Sequence, residues 1–325
     1  MKRWILLLLV LLLVCPTMAA QPPETELDDI LADYMADMGL NENNFSLSYY
    51  NTVTGEQYAF NDKKFMVAAS TFKLPLNMYY YEMEWAGEIE PDAYLPQAGV
   101  RLDVAHELSM VDSNNEVSIG MLYSLGDFAV YKEKMRKYFT MAEEEIDYIY
   151  YADNYFCTHM MMDTLKYLYE NKEDFAELIG YMKRAQQDQY FCAGVKDYKV
   201  AHKYGWYDGA VNDVGIIYTE QPFLLAVYTK DVYGEGIVAD VARLAADYNI
   251  AKAAEPAPEP EGTILEVEMV PLTPPQPEEP QEELAPEIPV EAPSEAVLPK
   301  WVVPGALAGL LLLAGFFLLN RRKPS

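Results

Sequence analysis

From Glu26 to Leu40 the apolar residues recur at Leu27, Ile30, Leu31, Tyr34, Met35 and Met38, the spacing of a helix with one stripe turned toward a sheet. Phe45, Leu47 and Tyr49 then alternate with polar neighbours, which predicts a strand buried on one face. Thr54-Gly55 supplies a turn, and Gln57 to Phe60 returns as the second strand of a hairpin. From Ser70 to about Trp85 the pattern is helical again, with Pro75 in the first turns, where its missing N–H does little harm. Further helices are predicted over 115–125, 160–169 and 174–186. Val214 to Tyr218 and Phe223 to Thr229 are short apolar runs joined by a polar turn with Pro222, a second hairpin, and Gly236 to Tyr248 closes as an amphipathic helix. Strands at both ends with helices between them predict an α+β domain: one antiparallel sheet formed from both ends, with a helical region beside it.

Composition divides the chain further. Residues 1–20 put a basic start before an unbroken apolar run and end in small residues around Ala19 and Ala20, the pattern of a secretory signal. Residues 301–319 carry no charge and precede Arg321, Arg322 and Lys323, so a single transmembrane helix is expected, with 320–325 as a short cytoplasmic tail. The LPKW at 298–301 has part of a cell-wall sorting signal but lacks its Thr-Gly, which favours a retained helix. Between residues 254 and 299 stand 12 Pro and 12 Glu with no Lys, Arg or Asp, so 254–300 reads as an extended, solvated tether. Residues 21–253 remain as one folded domain, expected on the extracytoplasmic side of a cell membrane and expected to be a monomer.

That domain has 39 acidic and 18 basic residues, so it carries −21 of the total −27. Such a field repels polyphosphate and excludes nucleic acid as a partner. His106, His159 and His202 lie far apart with no metal-binding spacing, so neither metal nor cofactor is expected, and ordinary surface or supporting roles are expected of all three. Cys15 lies in the signal. Cys157 and Cys192 could pair in an oxidising compartment, but spacing alone does not join them.

Ser70-Thr71-Phe72-Lys73 sets a hydroxyl and an amine three residues apart at a helix start, on one face, where they can meet. A serine needs a base, and an amine serves when desolvation or a second cation holds its pKa down. Ser113-Asn114-Asn115, within MVDSNNEVSIGMLYSLG, resembles the S-D-N segment of penicillin-recognising serine hydrolases, and Lys203-Tyr204-Gly205, followed by the Asn-Asp-Val-Gly-Ile hairpin, resembles their K-T-G strand. Three motifs in this order make the domain similar to the class A β-lactamase family. The resemblance implies that Ser70 is acylated, Lys73 assists removal of its proton, and Ser113 relays a proton to the departing nitrogen. It further implies that Lys203 sits near Ser113 and the substrate carboxylate, that Asn115 binds the substrate amide and orients Lys73, and that the N–H groups of Ser70 and Trp206, beside Gly205, form an oxyanion hole.

Two departures matter. The K-T-G threonine is Tyr204, whose hydroxyl lies several ångströms farther out, which puts its part in substrate binding in question. The family's deacylating glutamate, followed four residues later by asparagine, has no clear counterpart: Glu143, Glu144 and Glu145 are at roughly the right distance, but none has Asn four residues on. The sequence therefore supports a membrane-anchored serine hydrolase that opens β-lactam amides through an acyl-serine intermediate. The alternatives are a DD-peptidase or penicillin-binding-protein-like acyl transferase acting on peptidoglycan-like peptides, and a non-hydrolytic surface binding module that keeps the fold.

Overall fold

A computed structural model describes residues 26–254, all within the first of the two units into which the chain divides, Met1–Glu259. The expected signal segment 1–20, the tether beyond residue 254 and the apolar span 301–319 lie outside the described residues. Among the described residues no helix is long and apolar enough to cross a membrane.

The chain opens with α1 (Leu27–Met38), then β1 (Phe45–Asn51), β2 (Gln57–Phe60) and β3 (Met66–Val67). A 3₁₀ turn over Ala69–Phe72 runs into α2 (Lys73–Trp85), so Pro75 is the third residue of that helix and its lost donor falls in the first turn. A short hairpin, β4 (Tyr94–Leu95) and β5 (Val100–Arg101), precedes α3 (Leu102–Met110), α4 (Asn115–Leu125), α5 (Phe128–Met135) and α6 (Tyr148–Ala152). Then come β6 (Tyr155–Phe156), α7 (Thr158–Glu170), α8 (Ala176–Met182) and α9 (Phe191–Gly194). The chain returns through β7 (Lys199–Tyr207), β8 (Ala210–Tyr218), β9 (Phe223–Lys230) and α10 (Gly234–Ala253).

Five strands form one antiparallel sheet in the order β2-β1-β9-β8-β7. The N-terminal β1 pairs with the C-terminal β9, Leu47 opposite Val227, so the sheet is closed by both ends of the domain. The α+β class and its antiparallel sheet are as the sequence predicts.

Helices cover both faces of the sheet, where one helical region beside it was expected. Phe223, Leu225 and Val227 of β9 join a cluster with Leu31 of α1 and Val238 and Val241 of α10. The alternate residues Leu224, Ala226 and Tyr228 join the larger cluster with Leu76 of α2 and Met161 and Leu165 of α7. Period-two alternation thus sends successive side chains into two separate cores. A Leu225→Ala change would cost about 2–5 kcal/mol.

The same sandwich corrects the reading of β1 as half-buried. Ser46 and Ser48 lie under the helical layer and are buried, and Ser46 Oγ is satisfied by Thr158 Oγ1 of α7 at 2.7 Å. The predicted helix over 174–186 is only the seven-residue α8, while α3, α5, α6 and α9 were not anticipated. In α3 the buried residues Leu102, Ala105, His106, Ser109 and Met110 include two polar ones, which hides the apolar stripe from a hydropathy pattern.

Candidate active site

The first motif lies where β3 leads into the 3₁₀ turn. Ala69 holds a φ of 50°, and Ser70 follows, partly exposed. Gly205 of the edge strand β7 crosses this turn so closely that a Cβ there would stand 2.5 Å from Ser70 N and 2.9 Å from Ala69 Cβ. Only glycine lets the strand backbone lie against the nucleophile's amide. This closeness puts Gly205 and Trp206 beside Ser70; the Trp206 side chain is exposed.

The second motif is set by the cap of α4. Asn114 is the N-cap and its side chain accepts from Val117 N at 2.9 Å, which leaves Asn115 as the first helical residue. Ser113, just before the cap, adopts a φ of 53°. A left-handed serine costs on the order of 1–3 kcal/mol and persists only where its surroundings dictate it.

Ser113 is where the motifs meet. Lys73 Nζ donates to Ser113 O at 2.6 Å, to Ser113 Oγ at 3.1 Å and to Asn115 Oδ1 at 2.7 Å. From the other side Lys203 Nζ donates to Ser113 Oγ at 2.9 Å and to Tyr204 O at 2.8 Å. Two amines sharing one hydroxyl stand within about 6 Å of each other, close enough to disfavour a second charge. Both are buried. Burial brings the Lys73 ammonium down to about 7. Burial first, and then the neighbouring Lys73 charge, push Lys203 well below the usual lysine range, against a weaker opposing pull from Asp213. Among the described residues no hydrogen bond of either amine goes to a carboxylate.

The geometry corrects the sequence reading in three places. Ser70 and Lys73 were expected to meet, yet the hydrogen bonds of Lys73 all run to the second motif. Tyr204 does not stand in for a threonine: its ring stacks on Tyr190 with centroids 4.7 Å apart, and its hydroxyl accepts from Gln186 Nε2 at 3.3 Å. Its part in the cluster is the backbone oxygen that holds Lys203. Two of the histidines are core residues where surface or supporting roles were expected: His106 bridges Asn77 Oδ1 and Glu84 Oε1, and His202 is fully buried. Among the described residues no group of His, Cys, Asp and Glu could hold a metal ion, and Cys157 and Cys192 are both free thiols.

The three glutamates occupy a surface turn, Glu143–Glu145. Glu143 pairs with Arg136, and Glu145 with Lys63 at 2.5 Å. A residue that the sequence reading does not single out, Asn154, lies beside the first motif. Its Nδ2 donates to Ala69 O at 2.8 Å and its backbone oxygen accepts from Ala68 N at 2.9 Å, so it clamps the turn that carries Ser70. Among the described residues, the buried Asn154 Oδ1 has no hydrogen-bond partner. The residue four before Asn154 is Tyr150. This tyrosine is fully buried and donates to Lys132 O at 2.8 Å.

The sequence profile of the β-lactamase enzyme family matches residues 22–249, well over half the chain. The chain belongs to the β-lactamase enzyme family. Members of known structure share the fold at low identity. An ancestral class A β-lactamase of Gram-negative bacteria (GNCA) is 19% identical with a TM-score of 0.59, covering 68% of this chain and 99% of its own. PBP-A is 18% identical with a TM-score of 0.59, covering 71% and 99%. A β-lactamase from Xanthomonas campestris is 17% identical with a TM-score of 0.58, covering 69% and 99%. A variant of PBP-A is known as an acyl-enzyme complex with penicillin G. No curated protein matches the chain.

Proposed function

We propose that the domain is an acyl-serine enzyme that opens β-lactam rings, and amides of cell-wall peptides by the same chemistry, and that it forms the acyl-enzyme far faster than it hydrolyses it. The observation that carries this is Ser113 Oγ held between Lys73 and Lys203 in a cluster whose hydrogen bonds, among the described residues, reach no carboxylate. A lysine at about 7 is substantially neutral at neutral pH and can take a proton. As substrate enters, Ser70 Oγ attacks the amide carbon and gives its proton to Lys73, exchanging with one of that amine's present partners. The N–H groups of Ser70 and Trp206 face the developing oxyanion, where each such donor is worth about 3–4 kcal/mol. Ser113 protonates the departing nitrogen and is resupplied by the adjoining amines.

Hydrolysis of the ester needs a second base acting on water. Glu143 and Glu145 are engaged by Arg136 and Lys63, and the residue four before Asn154 is a tyrosine. This favours a penicillin-binding enzyme over an efficient β-lactamase, in keeping with the acyl-enzyme described for a PBP-A variant. The pattern of the chain ends supports anchoring of the domain outside the membrane by 301–319; membrane fractionation of the full chain and of one ending at residue 300 tests this. For the activity, a chromogenic cephalosporin distinguishes the outcomes. The proposal expects at most stoichiometric ring opening, abolished by Ser70→Ala. Many turnovers per molecule, again lost in Ser70→Ala, would establish the hydrolytic reading instead.

A further inference from the structure

On the opposite side of β7 from Ser113, a second nucleophile stands in a built setting. Cys192 Sγ lies 3.5 Å from His202 Nε2, and His202 Nδ1 lies 2.7 Å from Asp213 Oδ2. His202 and Asp213 have no solvent exposure, whereas Cys192 is partly exposed. Asp213 is fixed by three donors: Oδ2 also accepts from Phe191 N at 3.0 Å, and Oδ1 from Val214 N at 3.0 Å. His202 Nε2 also reaches Ala185 O at 2.8 Å, a contact that requires a proton on that nitrogen. With both ring nitrogens donating, His202 is an imidazolium; Asp213 overcomes the cost of burial and raises it to about 10. Cys192 Sγ thus stands beside an imidazole that Asp213 and Ala185 O hold in place. Nucleophile, imidazole and orienting carboxylate follow one another in space.

Cys192 opens on a cavity of about 500 Å³. In a domain carrying −21, the cavity wall gathers Lys183, Arg184, Lys196 and Lys199 against a single acid, Asp188. Arg184 is paired with Glu107 at 2.8 Å, and Lys183 lies over the Tyr218 ring. Lys196 and Lys199 are exposed and form no ion pair among the described residues. A local cationic wall within an acidic surface concentrates small anions at the sulfur.

We propose that Cys192, with His202 and Asp213, is a thiol-modification site that takes small anionic disulfides. The Cys192 thiolate attacks one sulfur of the disulfide. A new S–S bond forms to that half as the original S–S bond breaks, and the other half leaves as a thiolate that takes a proton from water. One thiol and one disulfide go in and one thiol and one disulfide come out, so no further oxidant is needed. The other described cysteine provides an internal control: Cys157 is fully buried, and burial pushes its thiol up to about 12.

The test exposes the full-length protein to oxidised glutathione, which is anionic, and to cystamine, which is cationic, and locates adducts by peptide mapping. Cys192 is expected to be modified and Cys157 spared. The ratio of the glutathione to the cystamine rate should fall about tenfold in Lys196→Glu/Lys199→Glu and shrink with added salt. These lysines are exposed, so the variant tests charge without touching the core. His202→Gln is expected to slow both disulfides; should it not fold, the charge variant still decides. No adduct on Cys192, or a rate ratio indifferent to the lysine reversal, would overturn the proposal.

Discussion

At the scale of single residues, the site depends on two amines that share one hydroxyl and, among the described residues, hydrogen-bond to no carboxylate. Lys73 must be neutral to accept a proton, and burial brings it to about 7. Acylation should therefore rise with pH through about 7 and level off above; stopped-flow labelling with a penicillin across this range measures it. A rate that falls as pH rises through this range would mean that the ammonium form does the work. Ser113→Ala removes the bridge between the amines and should slow acylation by about 10²–10⁴. Gly205→Ala would drive a methyl to within 2.5 Å of Ser70 N, and a displacement of the reacting groups by about 1 Å costs on the order of 10²-fold in rate. Labelling kinetics on the folded variant check the effect.

At the scale of elements, α5 is tied to the short β3–β6 pair by an unusual residue. Lys132 is fully buried, donates to Tyr155 O at 2.9 Å, and lies 4.1 Å from the Tyr150 ring and 3.7 Å from the Phe156 ring, with Phe128 also near. Burial holds its pKa well below the usual lysine range, with only Asp153 pulling weakly the other way. The unfolded chain thus binds this proton more readily than the folded one, so the fold loses stability as pH falls from the free-lysine value toward the folded one. Lys132→Met lacks that loss. Near pH 10 the wild type should exceed the variant by about 1 kcal/mol through its hydrogen bond, and the difference should shrink or reverse at lower pH in urea titrations. A pH-independent difference would contradict this. The same elements show what a sequence can convey. The β8–β9 hairpin and α4 were legible because their periodicity is local, and the capping Asn114 marks where α4 starts. Burial of Ser46 and Ser48 was not, since it depends on α7 arriving over β1 from more than a hundred residues away. The three motifs were readable as motifs, but the failure of Ser70 and Lys73 to bond was not, because Asn115 and Ser113 compete for the amine only in three dimensions.

At the scale of the whole molecule, the sheet is completed only when β1 pairs with β9, so neither end of the domain is dispensable. The acidity of the domain bears on the proposed encounter with a β-lactam. A penicillin carries a carboxylate, and a domain at −21 repels it until salt screens the field within about 8 Å at physiological ionic strength. The second-order labelling rate should accordingly rise with salt, whereas a fall would show that local cations dominate the approach. Beneath this lies the central claim, that Ser70 forms an ester which the site has no placed base to clear. Time-resolved intact mass spectrometry after mixing with penicillin G, with the adduct located by peptide mapping, measures it directly. The expected result is a single adduct on Ser70 that persists for minutes and is absent in Ser70→Ala. No adduct on the folded protein, an adduct elsewhere, or one that clears within a second would contradict the account.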